Sequence, residues 1–550
     1  MSNVDICPQC QQILFFRPDR AFHSPLAQLL STNHAPTDPQ RRLAEEVVAD
    51  LSLSIRIIEE QMSRLRKSAD KLRLHRQEHE VLLSKFRDFP VEILESIFQA
   101  HIDSCATRKE LFTIDDLEFR RGDVCGKPRS NSRMAIPLAI PMVCRQWRRI
   151  ALSMPSLWSN IHLSLGFWKL ERWENMIPRF MERAKTHLLS IDLDLDDWHN
   201  AERGRLILDT LGTCSDQWKE AQFMLTPNTL GYFTTAMGEL DGSLPKLDFL
   251  SIGTTVKELS PLIRLAVAPS LCALQLINIR CNLLSLPWPQ LREISLFQID
   301  WNYALELIEL CPNLTSLRYE VFDPMHDIQP NEVTCRHQCL TSLELITTSR
   351  RSPFLDTLEL PTLRNLTLTV RSTNSSDRNY ALWPSQTLCR FLSRAPCTLQ
   401  IISLDNVDIP VAEFAEYLPL TPNITTLKLA ESNRVSYNDL LELIVVIKED
   451  SSLILPNLRH LEYTFHTQSS HLSEYTAAFE LVSNVIKSRH TDTGTVPFQS
   501  VKVRGPRPDT DAERLPAYNE LLGYRQNGIL VETYFFSPRE RLTVCIALLV

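Results

Sequence analysis

Apolar residues recur along most of the chain in the spacing LxxLxL, in which the first, fourth and sixth positions are large and hydrophobic. Successive copies lie 20 to 36 residues apart, a period that suits one strand and one return helix per repeat. Segments between copies, such as residues 302–310 and 439–447, have the spacing of amphipathic helices. The pattern predicts a solenoid of stacked repeats over residues 164–510, closed by a C-terminal cap over residues 511–550. The nine copies begin at Leu247, Leu271, Leu291, Leu314, Leu340, Leu363, Leu399, Ile424 and Leu458.

Alternation along each predicted strand separates two faces of the sheet. The fourth and sixth positions point into the solenoid, and the third, fifth and seventh positions point out of the sheet. A curved sheet in an array of this length is typical of proteins that bind another macromolecule, and the alternative is a merely solvated face. The residues of this predicted binding face are chemically mixed: Phe249, Gln275, Phe297, Arg318, Glu344, Thr367, Lys428 and Glu462.

A long amphipathic helix is predicted over residues 38–87, after a proline-rich segment over residues 1–37 that is predicted to be flexible. Thr37 and Gln40 have the spacing of a capping box, which starts a helix. Apolar residues then follow the alternating 4 and 3 spacing of a coiled coil, which weakens where Arg76 and His79 occupy the stripe. Two interpretations stay open: the helix folds back on its own chain, or two copies self-associate through it. The stripe consists of Leu51, Ile55, Ile58, Met62, Leu65, Ala69 and Leu72.

The pattern changes over residues 88–163. A short helix that starts at Pro90 carries apolar residues on one face, and a second helical patch follows around residues 143–147. The polar stretch between them predicts an insertion over about residues 103–135. These apolar side chains are too many to bury within so small a module, which indicates a patch for a partner, with Trp147 and Trp158 as anchors. The alternative is a private core that these residues close against the long helix.

Composition excludes several classes of function. The formal net charge of -8 gives no bulk attraction to phosphate, so we expect no nucleic-acid partner. Only 13 of 550 residues are glycine, and no glycine-rich nucleotide motif or nucleophile elbow occurs. No stretch approaches the roughly 20 apolar residues of a membrane helix, and the apolar tail at residues 542–550 is predicted to be a buried strand. Scattered cysteines and an N-terminus unlike a secretion signal indicate a reducing compartment, cytoplasmic, nuclear or both.

Candidate catalytic and metal sites are incomplete. The CxxC formed by Cys7 and Cys10 lacks the further ligands of a structural zinc site, and the group of Cys335, His337 and Cys339 is equally short of ligands. No nucleophile, base and orienting group occur at a spacing that supports catalysis. We therefore expect a protein that is not an enzyme and that holds no metal and no cofactor.

The segment from Phe89 to Trp158 resembles the F-box, the adaptor-binding helical module of ubiquitin ligases. The chain reads FPVEILESIF over residues 89–98, VCRQWRRIA over residues 143–151 and SLW over residues 156–158. It departs from the usual pattern at Phe89, where leucine is common, and in a longer gap between its two halves. The whole layout is similar to that of fungal F-box-like proteins that carry leucine-rich repeats.

The resemblance implies an α/β fold, with a helical F-box module followed by a leucine-rich-repeat solenoid and preceded by a long, coiled-coil-like helix. It also implies a function as a substrate receptor. The F-box would bind the Skp1-type adaptor of a cullin-RING ubiquitin ligase, and the binding face of the repeats would hold the protein substrate. The alternative is a non-catalytic repeat scaffold with no ligase role. The residues implied in adaptor binding are Phe89, Pro90, Ile93, Leu94, Ile97, Val143, Cys144, Trp147, Leu157 and Trp158.

Overall fold

The computed structural model of the protein describes residues 4–6, 13–16, 24–83, 89–106, 139–164, 173–195, 201–226, 228–233, 244–254, 263–264, 268–279, 284–321, 335–347, 354–371, 387–394, 398–432, 435–445, 454–466, 472–490, 498–506 and 515–536. Contacts divide the chain into two units, Met1–Leu94 and Glu95–Val550. The CxxC at residues 7 and 10, most of the predicted insertion and the apolar tail lie outside the described residues.

The first unit consists mainly of one long helix, as the sequence pattern predicted. At the start of this helix the Thr37 backbone N–H donates a hydrogen bond to Gln40 Oε1 over 2.9 Å, as in a capping box. Ion pairs between successive turns, such as Arg64 with Glu60 at 2.6 Å, support its exposed surface. The elements of this unit are β1 (Val4–Ile6), which pairs antiparallel with β2 (Ile13–Phe16), then α1 (Ala27–Leu30) and the long helix α2 (Asp38–Leu82).

Among the described residues between 91 and 158, three helices follow, where the sequence predicted two helical patches. Helix α3 (Val91–Ala106) starts directly after Pro90 in the first unit and continues into the second. The second unit then contains α4 (Arg145–Ser153) and α5 (Pro155–Trp158), with a further helical turn at residues 139–143. Proline at the first position of α5 suits a helix start, because its fixed backbone angle is already helical.

One parallel sheet of 14 strands dominates the second unit, and its strands follow the order of the chain. All nine LxxLxL copies form strands of this sheet. Within the described residues the sheet is longer than the predicted array: it extends from Asn160 to Phe536. A mixed α/β chain with such a sheet is compatible with a repeat solenoid. The strands are β3 (Asn160–Ser164), β4 (Leu189–Leu195), β5 (Trp218–Leu225), β6 (Phe249–Thr254), β8 (Ala273–Ile277), β10 (Glu293–Phe297), β11 (Ser316–Val321), β13 (Ser342–Thr347), β15 (Asn365–Val370), β16 (Ile401–Asp405), β17 (Thr426–Ala430), β18 (His460–Thr464), β19 (Ser500–Pro506) and β20 (Leu530–Phe536).

Helices connect the strands near both ends of the array, as expected for one helix per repeat. In the middle repeats, the described residues of the return segments also contain short strands. Two pairs of short parallel strands lie in the return segments: β7 (Ile263–Arg264) with β9 (Leu284–Ser285), and β12 (Cys335–Arg336) with β14 (Leu358–Glu359).

Prolines disfavour a helix in one of these return segments. Between β8 and β10, the described residues around Pro287 and Pro289 form the 3-10 turn Trp288–Gln290. In the described parts of the returns, residues 228–233 are helical. The α-helices with both ends described are α6 (Trp173–Ala184), α7 (Ala201–Gly212), α8 (Trp301–Leu310), α9 (Phe354–Thr357), α10 (Thr387–Arg394), α11 (Val411–Tyr417), α12 (Asn438–Val445), α13 (Leu472–His490) and α14 (Pro516–Gly523). Further 3-10 turns are Ser215–Gln217, Leu418–Leu420 and Tyr524–Asn527.

The core fills the space between the sheet and the return segments. Side chains at the fourth and sixth positions of the copies are buried there, as the alternation predicted. Two asparagines, each directly after the end of a strand, link that strand to the preceding one in the sheet. Asn278 and Asn406 adopt left-handed backbone angles (φ 55° and 54°), which asparagine tolerates better than most residues. Their side-chain amides donate to the carbonyls of Thr254 over 3.1 Å and of Val370 over 2.6 Å.

In the part of the chain that the structure describes, every helix is too short or too polar to cross a membrane.

Candidate functional site

Aromatic and polar contacts join the helices of the second unit that carry the F-box-like motifs. The rings of Phe98 on α3 and Trp147 on α4 meet edge to face, with their centroids 4.8 Å apart. The hydroxyl of Ser156 on α5 donates to Gln99 Oε1 on α3 over 2.7 Å. Each of the three helices therefore contacts another of the group through side chains that the motif contains or adjoins.

Three of the ten predicted adaptor-binding residues lie in the core. The side chains of Leu94, Leu157 and Trp158 are buried almost completely. The indole N–H of Trp158 donates to the carbonyl of Ala151 over 2.8 Å, and its ring meets that of Phe180 at 5.0 Å. In this conformation these three residues support the helices and offer no surface to a partner.

The other predicted residues reach the surface. Phe89 and Trp147 are half-buried, and the exposed residues are Pro90, Ile93, Ile97, Val143 and Cys144. Val143 is 61% exposed, and its neighbour Met142, which the sequence interpretation missed, is 76% exposed. Clustered exposed aliphatic side chains are the signature of a binding surface, whereas single ones are ordinary. The signal for Met142 was its position next to the motif, directly before Val143.

Cys144 has a structural role that its motif did not reveal. It is the N-cap of α4, in an extended conformation, and its Sγ accepts a hydrogen bond from the Trp147 backbone N–H at 3.4 Å. An N-cap side chain satisfies one of the free N–H groups in the first helical turn. Cys144 therefore sets the start of the helix that presents Trp147.

The cysteine and histidine group around residue 337 is a packing feature. Nδ1 of His337 accepts from the backbone N–H of Leu340 at 3.0 Å, so Nε2 carries the proton and donates to the carbonyl of Cys311 at 3.0 Å. Both ring nitrogens of His337 are thus engaged by the backbone. Burial raises the pKa of the Cys335 thiol to about 11. Among the described residues no cluster of three or more histidine, cysteine or carboxylate side chains could hold a metal ion.

The fifth positions of the strands form one continuous line across the outward face of the sheet, which we call the central row. Six of the eight residues predicted for the binding face belong to it, whereas Phe249 and Phe297 occupy third and seventh positions. In register order the central row is His162, Asp192, Gln222, Ser251, Gln275, Ser295, Arg318, Glu344, Thr367, Ser403, Lys428, Glu462, Lys502 and Glu532.

Burial divides the predicted binding face into two halves. Gln275 and Phe297 are completely buried, and Arg318 is 7% exposed. Phe297 belongs to a buried apolar cluster with Met224 and Ile277, which lie on neighbouring seventh positions. These predicted contact residues therefore offer no open surface in this conformation. Alternation along a strand predicts on which side of the sheet a side chain lies, but it does not predict whether that side is covered.

Charged side chains occupy the middle of the face. Arg318 Nε lies 3.6 Å from Glu344 Oε1, and Arg371 forms an ion pair with the buried Glu320. Burial raises the pKa of Glu344, although the charges of Arg318 and Arg371 lower it. Burial also raises the pKa of Asp405 to about 6, against the charge of Arg371 and with that of Glu344. Glu344 and Asp405 therefore hold their protons more firmly than ordinary carboxylates.

The half of the face from β17 to β20 is more open, and we call it the open half. Tyr534 is 49% exposed there, and the Lys502 ammonium lies 5.0 Å from the centre of its ring. The sequence interpretation included Lys428 and Glu462 but missed the last two strands. Their signal was a plain alternation, VKVR and VETY, without the leading leucine of the repeat. The ion pairs of the open half are Lys428 with Glu462 (3.5 Å), Arg504 with Glu462 (2.8 Å) and Lys502 with Glu532 (3.6 Å).

Comparison with known proteins adds no relative: no protein-family model matches the chain, and no curated protein matches it significantly.

Proposed function

We propose that the protein is the substrate-binding subunit of a Skp1–cullin-type ubiquitin ligase, in which α3 and α4 bind the adaptor and the open half of the binding face binds the target protein. The observation that carries the proposal is the exposure of Val143 and Met142 directly before α4, within a sequence that resembles the F-box. Catalysis would then belong to the partner proteins.

The surroundings of Val143 support a contact with an apolar partner. Val143 directly precedes Cys144, which caps α4, and Trp147 on that helix contacts Phe98. Ile97, one residue before Phe98, is also 43% exposed. Complete burial of a fully exposed valine or isoleucine side chain contributes about 1.5 to 3 kcal/mol, and covering the exposed part of these two side chains contributes a share of that. A partner that covers this surface therefore gains stability without any rearrangement of the core.

The open half of the face supports binding of a polar protein segment. Lys502 and Glu532 are ion-paired yet partly exposed, so a partner can exchange these contacts for its own at small cost, since exposed ion pairs contribute about 0 to 1 kcal/mol each. Tyr534 offers exposed aromatic area next to these charges, and tyrosine is enriched at the centres of protein interfaces.

The test is binding of a purified Skp1-type adaptor to the full chain. Val143→Glu places a charge within the proposed contact and is expected to weaken adaptor binding at least tenfold, because the charge loses water on binding. Leu206→Glu is the matched control: Leu206 lies on α7 and is 52% exposed, close to the 61% of Val143. This control is expected to bind as the parent does, and circular dichroism checks that both variants fold.

Two results would contradict the proposal. If the parent chain does not bind the adaptor, the receptor function fails and a non-catalytic repeat scaffold remains. If Val143→Glu binds as well as Leu206→Glu does, adaptor binding does not use the surface before α4.

A further inference from the structure

Helix α2 carries a line of large aliphatic side chains that are exposed to water. Their exposed fractions range from 37% to 70%. The exposed side chains are Val48, Leu51, Ile55, Met62, Leu65 and Leu72.

The spacing of these residues is that of a coiled coil over four heptads, from residue 44 to residue 72. Every core position, a and d, is apolar in this range, and four heptads span about 42 Å of helix at 1.5 Å per residue. The a positions include β-branched side chains and most d positions are leucine, the combination that favours two parallel strands. The a positions are Val48, Ile55, Met62 and Ala69, and the d positions are Ala44, Leu51, Ile58, Leu65 and Leu72.

The flanking positions fit a parallel pair of identical helices. In that arrangement each g position faces the e position of the following heptad on the second helix. The resulting pairs are Val47 with Ser52, Ser54 with Glu59, Gln61 with Arg66 and Ser68 with Arg73, and none brings two like charges together. Charged residues at other positions pair within one helix, as Arg76 does with Glu80 at 3.3 Å.

We propose that two copies of the chain associate through α2 as a parallel, two-stranded coiled coil over residues 44–72. The exposed stripe of one copy thus packs against the same stripe of the second copy. The pairing ends where Arg76 and His79 replace apolar residues at the next a and d positions. The dimer carries two binding faces, which raises the avidity for a target with two binding segments. This inference is independent of the proposed ligase role.

The test measures the mass of the full chain in solution by light scattering after size-exclusion chromatography. The parent is expected at twice the 63.2 kDa of one chain. Leu65→Lys with Leu72→Lys changes two d positions, each 70% exposed, and is expected to give the single-chain mass. The matched control, Leu53→Lys with Leu74→Lys, changes two leucines of the same helix that are 51% and 60% exposed but lie at outer f positions. This control is expected to remain dimeric.

Orientation is tested with a photo-crosslinking amino acid at position 68, a g position. In the parallel pair it is expected to join residues 65–76 of the second copy. A monomeric parent, a dimeric Leu65→Lys/Leu72→Lys variant or a monomeric control would each overturn the proposal. Crosslinks to residues 40–55 of the second copy would overturn its parallel arrangement.

Discussion

Asp405 is a carboxylate on the outward face of the sheet whose pKa is clearly raised. It ends β16, opposite Thr369 and Ala430 on the neighbouring strands. Burial raises its pKa from 3.8 to about 6. The folded protein therefore binds more protons than the unfolded chain between about pH 4 and pH 6, and the free energy of unfolding falls as the pH rises through this window.

Replacing the Asp405 carboxylate with an amide should remove this decrease in the free energy of unfolding with rising pH. We expect Asp405→Asn to raise the free energy of unfolding by about 3 kcal/mol at pH 7.5 and to change it little at pH 4, from the cost of about 1.4 kcal/mol per pKa unit. Urea unfolding at both pH values measures the difference. Asp408→Asn, at an exposed carboxylate three residues later, is the control. An equal gain for Asp405→Asn at both pH values would contradict the assignment.

Individual residues show where sequence reasoning reached its limit. Alternation correctly assigned Leu427 and Leu429 to the core, because that assignment depends only on the local period of the strand. It could not predict the complete burial of Gln275, since burial of an outward side chain depends on distant parts of the chain. The cap formed by Cys144 was equally hidden, because cysteine is not among the preferred capping residues.

At the scale of elements, the contact between β18 and β19 depends on a glycine. A Cβ atom at Gly505 would lie against the ring of Phe465, closer than ordinary van der Waals contact allows. That ring cannot yield easily, because Tyr475 and Phe479 of α13 pack against it at centroid distances of 5.5 and 6.0 Å. The two strands can therefore approach as closely as they do only while residue 505 has no side chain.

We expect Gly505→Ala to lower the free energy of unfolding by about 1 to 3 kcal/mol, the usual cost of overpacking a core. Thermal unfolding followed by circular dichroism measures the change. Gly523→Ala is the matched control, because a Cβ atom there meets no atom within 4 Å and the residue ends α14. The control should be neutral or slightly stabilising, since alanine is the better helix former. Equal melting temperatures for the two variants would show that the Phe465 ring moves aside.

The strands themselves differed in how well the sequence predicted them. Nine copies with a leading leucine or isoleucine were identified, because that residue fixes the start of the repeat. Strands β19 and β20 lack it, although Val501 and Val503 alternate with Lys502 and Arg504 as any strand with one buried face would. The return segments were less predictable, because equivalent connections in different repeats contain helices of very different length: α9 has 4 residues and α13 has 19.

At the scale of the whole molecule, each strand of the long sheet pairs only with the strands before and after it. The stability of such an array is approximately a sum of repeat terms and nearest-neighbour terms, so a local weakness spreads only through adjacent repeats. Among the described residues, strand β20 has one neighbour in the sheet and β13 has two. The same loss of core packing should therefore destabilise a different number of neighbouring strands at β13 and at β20.

Leu345 in the middle of β13 and Val531 in β20 are both fully or almost fully buried. We expect Leu345→Ala to lower stability by about 2 to 5 kcal/mol and to speed amide hydrogen exchange in the strands on both sides of β13. Val531→Ala should speed exchange only in β19, β20 and α14, because the remaining array keeps all its own neighbours. Hydrogen exchange read by mass spectrometry resolves these regions. Faster exchange across the whole sheet in Val531→Ala would mean that the 14 strands unfold as one cooperative block, with β20 as an essential cap.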